Sequence, residues 1–227
     1  MQLYFSRALL YGKNHQRYAL GIAALFVIAM VTGSFLLSGK KDPQALTKSI
    51  LQPHAHDHIK GDSKTAHAIL IEYSDFECRA CSVYHSVLKQ LESDMGHDVA
   101  VIYRHFPLSA INPNADLAAR AAEAAGMQEK FFEMHDKLFE TQDDWMKKDA
   151  ARYLFIAYAK DIGLDVGRFD KDLDSKEAQS AVQENKQQAK DLGLKGAPSF
   201  FINGIPLPVF HTYAEFKSSV INNVYKQ

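Results

Sequence analysis

The sequence predicts an α/β protein: one β-sheet interrupted by an inserted α-helical domain, with one N-terminal transmembrane or signal helix ahead of it. Three observations carry this. β-prone apolar segments bracket a block at about residues 110–192 that has helical periodicity and no convincing strand. The element order is β-α-β, then the helical block, then β-β-α, which one sheet explains better than two unrelated domains. Finally, Ala19 to Leu37 reads ALGIAALFVIAMVTGSFLL without a charge.

That apolar run follows a basic segment, residues 1–18, with Arg7, Lys13 and Arg17, and precedes Lys40 and Lys41. A bilayer core about 30 Å thick needs roughly 20 apolar residues, so residues 19–37 are just long enough to span it. A cleaved signal shares the basic-then-apolar order, but its apolar core is usually only about 7–15 residues and a clean A-x-A site is missing. An uncleaved anchor is preferred. Residues 38–65 read as a solvated linker rich in Ser, Gly, Lys, Asp and Pro. Its histidines His54, His56 and His58 suggest either a transition-metal tract or, the preferred reading, a plain tether.

The folded part is expected to begin near Ala66. His67–Tyr73 is apolar and β-prone, as a strand buried on both faces should be. Val83, Tyr84, Val87, Leu88 and Leu91 then recur at helical spacing. Asp98–Phe106 reads as a second strand. Asn112-Pro113-Asn114 supplies cap and turn chemistry for the insertion. Further helices follow from Asp149 to about Ile162, from near Asp165, and over Ser175–Leu192. Strands return at Ser199–Ile202 and Ile205–Val209 about an Asn203-Gly204 turn. An amphipathic helix, Tyr213–Tyr225, closes the chain.

Cys78 and Cys81 are the only cysteines. Three apart at a helix start, their Cα atoms fall in the roughly 5–6 Å range that a disulfide accepts. The first sulfur meets unpaired backbone N–H groups and the positive end of the helix dipole. Such motifs lower a thiol from about 8.5 to about 3.5–7. Cys78 is therefore expected to be the exposed nucleophile and Cys81 its buried partner. Arg79 adds positive charge; Asp75 and Glu77 oppose it but can turn to water. Two other readings stand beside this one: half a metal site with His85, and an inert structural disulfide. The latter closes so short a loop that it gains little.

The run DFECRACSVYH (residues 75–85), the stretch NPNADLAARAAEAAGMQEKFFEMHDKLF (112–139) and GAPSFFING (196–204) resemble the thiol–disulfide oxidoreductases of the DsbA family. The resemblance covers roughly Ala66 to the C-terminus. It implies a thioredoxin-like fold with an inserted helical domain in residues 66–227. It implies that Pro198 is cis and faces the cysteines, with the Ala197 backbone offered to substrate, and that Glu72 is a buried acid beneath the disulfide. It implies no cofactor, reduced protein substrates, and reoxidation by a quinone-linked membrane oxidase. Two departures matter. Arg79 and Ala80 replace the family's frequent Pro or His between the cysteines, which removes a donor to the thiolate. Ala197 stands where Thr or Val is common.

The function expected is oxidation of extracytoplasmic protein thiols by a monomeric head anchored in the inner membrane. A reductase or isomerase on the same fold, and a metal-handling protein using the histidine tract with the cysteines, are the alternatives. A net charge of −1 argues against bulk nucleic-acid binding. Two cysteines exclude a four-cysteine zinc site. His85, His97, His105, His135 and His211 carry no spacing that demands a role, and Trp145 reads as core or lid.

Overall fold

The computed structural model describes residues 43–225. The apolar run at residues 19–37 lies outside them; among the described residues no helix is long and apolar enough to cross a membrane. The elements in order are α1 (Pro43–Ile50), β1 (His58–Lys60), β2 (Ala68–Ser74), α2 (Arg79–Met95), β3 (Val99–His105), α3 (Ala115–Gly126), α4 (Phe131–Glu140), α5 (Gln142–Trp145), α6 (Ala151–Asp161), α7 (Val166–Asp172), α8 (Lys176–Asp191), β4 (Ser199–Ile202), β5 (Ile205–Leu207) and α9 (Tyr213–Tyr225). The sheet runs β1-β3-β2-β4-β5. β2 lies parallel to β3 and antiparallel to β4, so it is central and almost wholly buried. This is the thioredoxin-like arrangement, with α3–α8 inserted between β3 and β4.

Local chemistry explains several boundaries. Asp165 and Ser175 cap α7 and α8 by accepting from the N–H groups of Arg168 and Ala178. Asn203 and Gly204 both have positive φ, which a two-residue hairpin turn requires. Pro206 and Pro208 flank the end of β5, which stops at Leu207, short of the predicted Val209. Asn114 precedes α3 but does not cap it: its amide donates to the carbonyls of Trp145 and Lys148.

The main correction concerns residues 38–65. The tether expected there contains α1 and the edge strand β1, which pairs antiparallel with β3. Ile50 and Leu51 are buried with Ile71, Tyr73 and Ile102. Arg104, fully buried, holds the segment. Its guanidinium donates to both Asp57 carboxylate oxygens at 2.8 and 2.7 Å, to the Gln52 carbonyl at 2.8 Å, to the Tyr73 hydroxyl at 3.0 Å and to the Ile50 carbonyl. His58 is likewise no free ligand. It stacks on Phe131 with ring centroids 3.5 Å apart and bonds both Glu123 oxygens at 3.1 Å. Gly126 permits this, since a Cβ there would lie 3.0 Å from the His58 ring. His105 is buried against the same Glu123 at 2.8 Å. Burial raises that carboxyl, but the bonds from His105 and His58 outweigh it and bring Glu123 down to about 2. Trp145 is core, its indole N–H donating to the Leu138 carbonyl.

Candidate active site

β2 delivers the chain to Asp75-Phe76-Glu77 at its C-terminal end, and α2 begins one residue after Cys78. Cys78 is the N-cap residue in extended conformation (φ −85°, ψ 124°). Its side chain therefore sits over the first free N–H groups of α2. Both cysteines are free thiols; Cys78 is partly exposed and Cys81 fully buried.

Protonated, Cys78 Sγ donates to the Ala197 carbonyl at 3.4 Å. Ionised, it accepts from the Cys81 thiol and from the N–H groups of Cys81 and Ala80. The Cys81 hydrogen bond is the largest of these effects. Together with the amides it outweighs burial and the charge of Asp75, lowering Cys78 from an ordinary 9.0 to about 6. Cys81 moves the other way, well above the ordinary thiol range, because it is desolvated and next to the Cys78 charge. The pair is thus one thiolate and one proton-holding thiol at neutral pH.

The Ala197–Pro198 peptide bond is cis, and the loop lies directly against Cys78. Beside it a groove of about 470 Å³ runs past Ala80, Tyr84, Phe200, Leu207 and Val209. Glu72 is buried on β2 and its Oε1 has no hydrogen-bond partner. Burial pushes its carboxyl up to about 7; Ser74 opposes this in part and the Cys78 charge adds to it.

Arg79 occupies the first turn of α2, but its guanidinium pairs with Asp143 and donates to Gln142 Oε1 at 3.3 Å. Its charge is therefore shared with the insertion. Asp75 and Glu77 do not turn to water as expected; both are buried. Asp75 accepts from the N–H groups of Glu77 and Leu108 and from the Asn112 amide. Glu77 accepts from the N–H groups of Asn114 and Lys147, both at 2.6 Å. They tie the insertion to the redox loop.

Gln142 is a site residue that sequence reasoning missed. Its amide donates to the carbonyls of Phe76 at 2.7 Å and Cys78 at 3.1 Å, gripping the loop that carries the nucleophile. No local pattern marks it, since its role depends on where the insertion folds back. His85, the candidate third metal ligand of the cysteines, instead bonds Asp136 at 3.0 Å.

Several known proteins are similar to this chain. Wolbachia pipientis alpha-DsbA1 superposes with a TM-score of 0.70 at 24% identity, over 79% of this chain and 96% of that one. Oxidised BdbD from Bacillus subtilis gives 0.67 at 21%, over 74% and 92%. The catalytic domain of Proteus mirabilis ScsC gives 0.65 at 21%, over 81% and 99%. In sequence, a Na(+)/H(+) antiporter NhaA 1 of Mycolicibacterium vanbaalenii is 34% identical over 193 residues, which is 82% of this chain and 30% of that protein. The chain thus spans about a third or less of the curated relatives it matches. The sequence model of the family described as thioredoxin matches residues 54–222, and with that match and the fold the chain belongs to the thioredoxin family.

Proposed function

We propose that this chain is a thiol–disulfide oxidoreductase that introduces disulfides into extracytoplasmic proteins. The carrying observation is the Cys78 sulfur, lowered to about 6 and set against the Ala197 carbonyl of the cis-proline loop. In the oxidised form, a substrate thiolate attacks Cys78 Sγ. The Cys78–Cys81 bond breaks and Cys81 leaves as a thiolate, which takes up a proton because its burial disfavours charge. A second substrate thiolate then attacks the substrate sulfur of the mixed disulfide. It forms the substrate disulfide and expels Cys78, a good leaving group for its low pKa. Two electrons end on the dithiol. Reoxidation requires a two-electron acceptor, for which a quinone-linked membrane oxidase is the proposed partner.

Glu72 is the proposed proton carrier for Cys81. Its carboxyl lies near 7, so it can give or take a proton at neutral pH. The Ala197 backbone and the groove beside Pro198 would hold an extended client segment. The length and flanks of residues 19–37 support a single-pass anchor in the inner membrane; a head outside the cytoplasm, working as a monomer, belongs to the same proposal.

The test is the Cys78 pKa, read from alkylation rate against pH, together with the redox equilibrium against glutathione. A pKa near 6 and a disulfide readily reduced by glutathione are expected. A pKa near 9 with a disulfide that glutathione leaves intact would assign the chain to the reducing direction. The Cys81→Ser variant should accumulate mixed disulfides with client proteins, and Cys78→Ser should accumulate none.

A further inference from the structure

On the opposite flank of α2 from the cis-proline loop, three side chains converge without a role in the redox chemistry. His85 Nε2 and His135 Nδ1 both point at one oxygen, Oδ1 of Asp136, at 3.0 and 2.9 Å. All three donor atoms lie within 4.8 Å of one another. We propose that His85, His135 and Asp136 bind one divalent transition-metal ion of the zinc class, at a site separate from the cysteine pair.

The donor set suits such an ion: two imidazoles and a carboxylate are borderline ligands that calcium and magnesium do not prefer. The spacing suits it too. At a metal–donor distance of about 2.1 Å, two donors lie about 3.0 Å apart at a right angle and about 3.4 Å apart at the tetrahedral angle. The observed separations from the carboxylate oxygen, 3.0 and 2.9 Å, match the right-angle value. Both rings are held rigidly. His85 lies flat on Phe139 at 5.1 Å, and His135 meets Tyr103 edge-on at 4.7 Å. The residues come from two helices, α2 and α4, rather than from loops, so their backbone positions are held by regular structure.

The surroundings permit a cation. Lys89 and Lys60 approach the other Asp136 oxygen at 3.5 and 3.9 Å. Each has a closer carboxylate of its own, Glu140 and Glu92, both at 2.8 Å. The two lysines and the three carboxylates together carry one net negative charge, so the pocket does not repel a dication. The three ligands line a cavity of about 350 Å³ that also reaches Glu92 and Ser93. That space leaves at least one coordination position for water or an exogenous ligand, as in three-ligand zinc sites. A hydrogen-bonded trio without a metal is the competing account, and it predicts no saturable binding of Zn(II) or Co(II) at these residues.

The test uses the full chain in mild detergent with the Cys78–Cys81 disulfide formed, so that no thiolate can ligate. Co(II) absorption and Zn(II) calorimetry should show one ion per chain with nitrogen and oxygen ligands only. His85→Gln and Asp136→Asn should each weaken binding at least tenfold. The triple variant His54→Gln/His56→Gln/His58→Gln should retain it. In the unsubstituted chain, Zn(II) should shift the ring nitrogens of His85 and His135, which needs no variant to fold. No binding, binding that follows His54–His58, or unmoved His85 and His135 resonances would overturn the proposal.

Discussion

Strands β2 and β3 carry ionisable groups on both faces, and the two faces treat them in opposite ways. On one face, Glu72 pairs in register with Tyr103, and the Glu72 Oε1 and the Tyr103 hydroxyl are buried with no hydrogen-bond partner. One residue on, Tyr73 pairs in register with Arg104. There the guanidinium makes five hydrogen bonds, two of them to Asp57. A buried polar atom without a partner is costly. The same strands therefore accept that cost beneath the redox helix and avoid it entirely on the other side. An acid proposed to exchange protons with Cys81 would be hindered by strong bonds to one of its forms. A clamp requires such bonds.

The largest test of this contrast is Arg104→Met. Removing one partner of a buried pair strands the other charge, so unfolding free energy in urea should fall by about 3–5 kcal/mol. Limited proteolysis should then release residues 46–60 first. Adding Asp57→Leu should recover much of the loss, and the Cys78 pKa should move in neither variant. If the single variant costs under about 1 kcal/mol, the clamp is not what holds α1 and β1.

Glu72→Gln should act in the opposite direction. The folded carboxyl sits near 7 against an ordinary 4.5, so between those values the native state binds more protons than the unfolded one. Stability therefore falls as pH rises through that window. Glu72→Gln should raise stability by about 1–3 kcal/mol at pH 8 and change little at pH 4. Its reoxidation should slow, because Cys81 loses its proton acceptor. A variant equally stabilised at both pH values would place the carboxyl in water rather than in the core.

Gln142→Leu should cost about 1–2 kcal/mol by leaving the Phe76 and Cys78 carbonyls unpaired. It should also broaden the Cys78 resonances in the reduced protein. The smallest effect belongs to Arg79→Ala. With its charge already matched by Asp143, the Cys78 pKa should rise by less than about half a unit. A larger rise, followed by alkylation rate, would restore Arg79 to the role that the sequence suggested.

What could be read in advance divides along physical lines. β2 is legible because a strand buried on both faces must be apolar over its length, and AILIEYS nearly is. Asp165 and Ser175 announce their helices because capping is a contact made within four residues. β1 is illegible: three residues with no alternation become a strand only because Arg104, 47 residues from Asp57, holds the approach to it. The family resemblance implies that Glu72 lies below the cysteines, but the sequence does not say whether its head reaches water. Gln142 was invisible because its partners are 66 and 64 residues away.

The sheet ends on both sides in strands of three residues, β1 and β5, and β5 carries Pro206 opposite Phe201. Short rims, one of them missing an amide hydrogen, offer little template for further strands. If the chain handles unfolded clients, as proposed, such rims would keep their strands from extending its sheet and leave the loop beside the sulfur as the place to meet them.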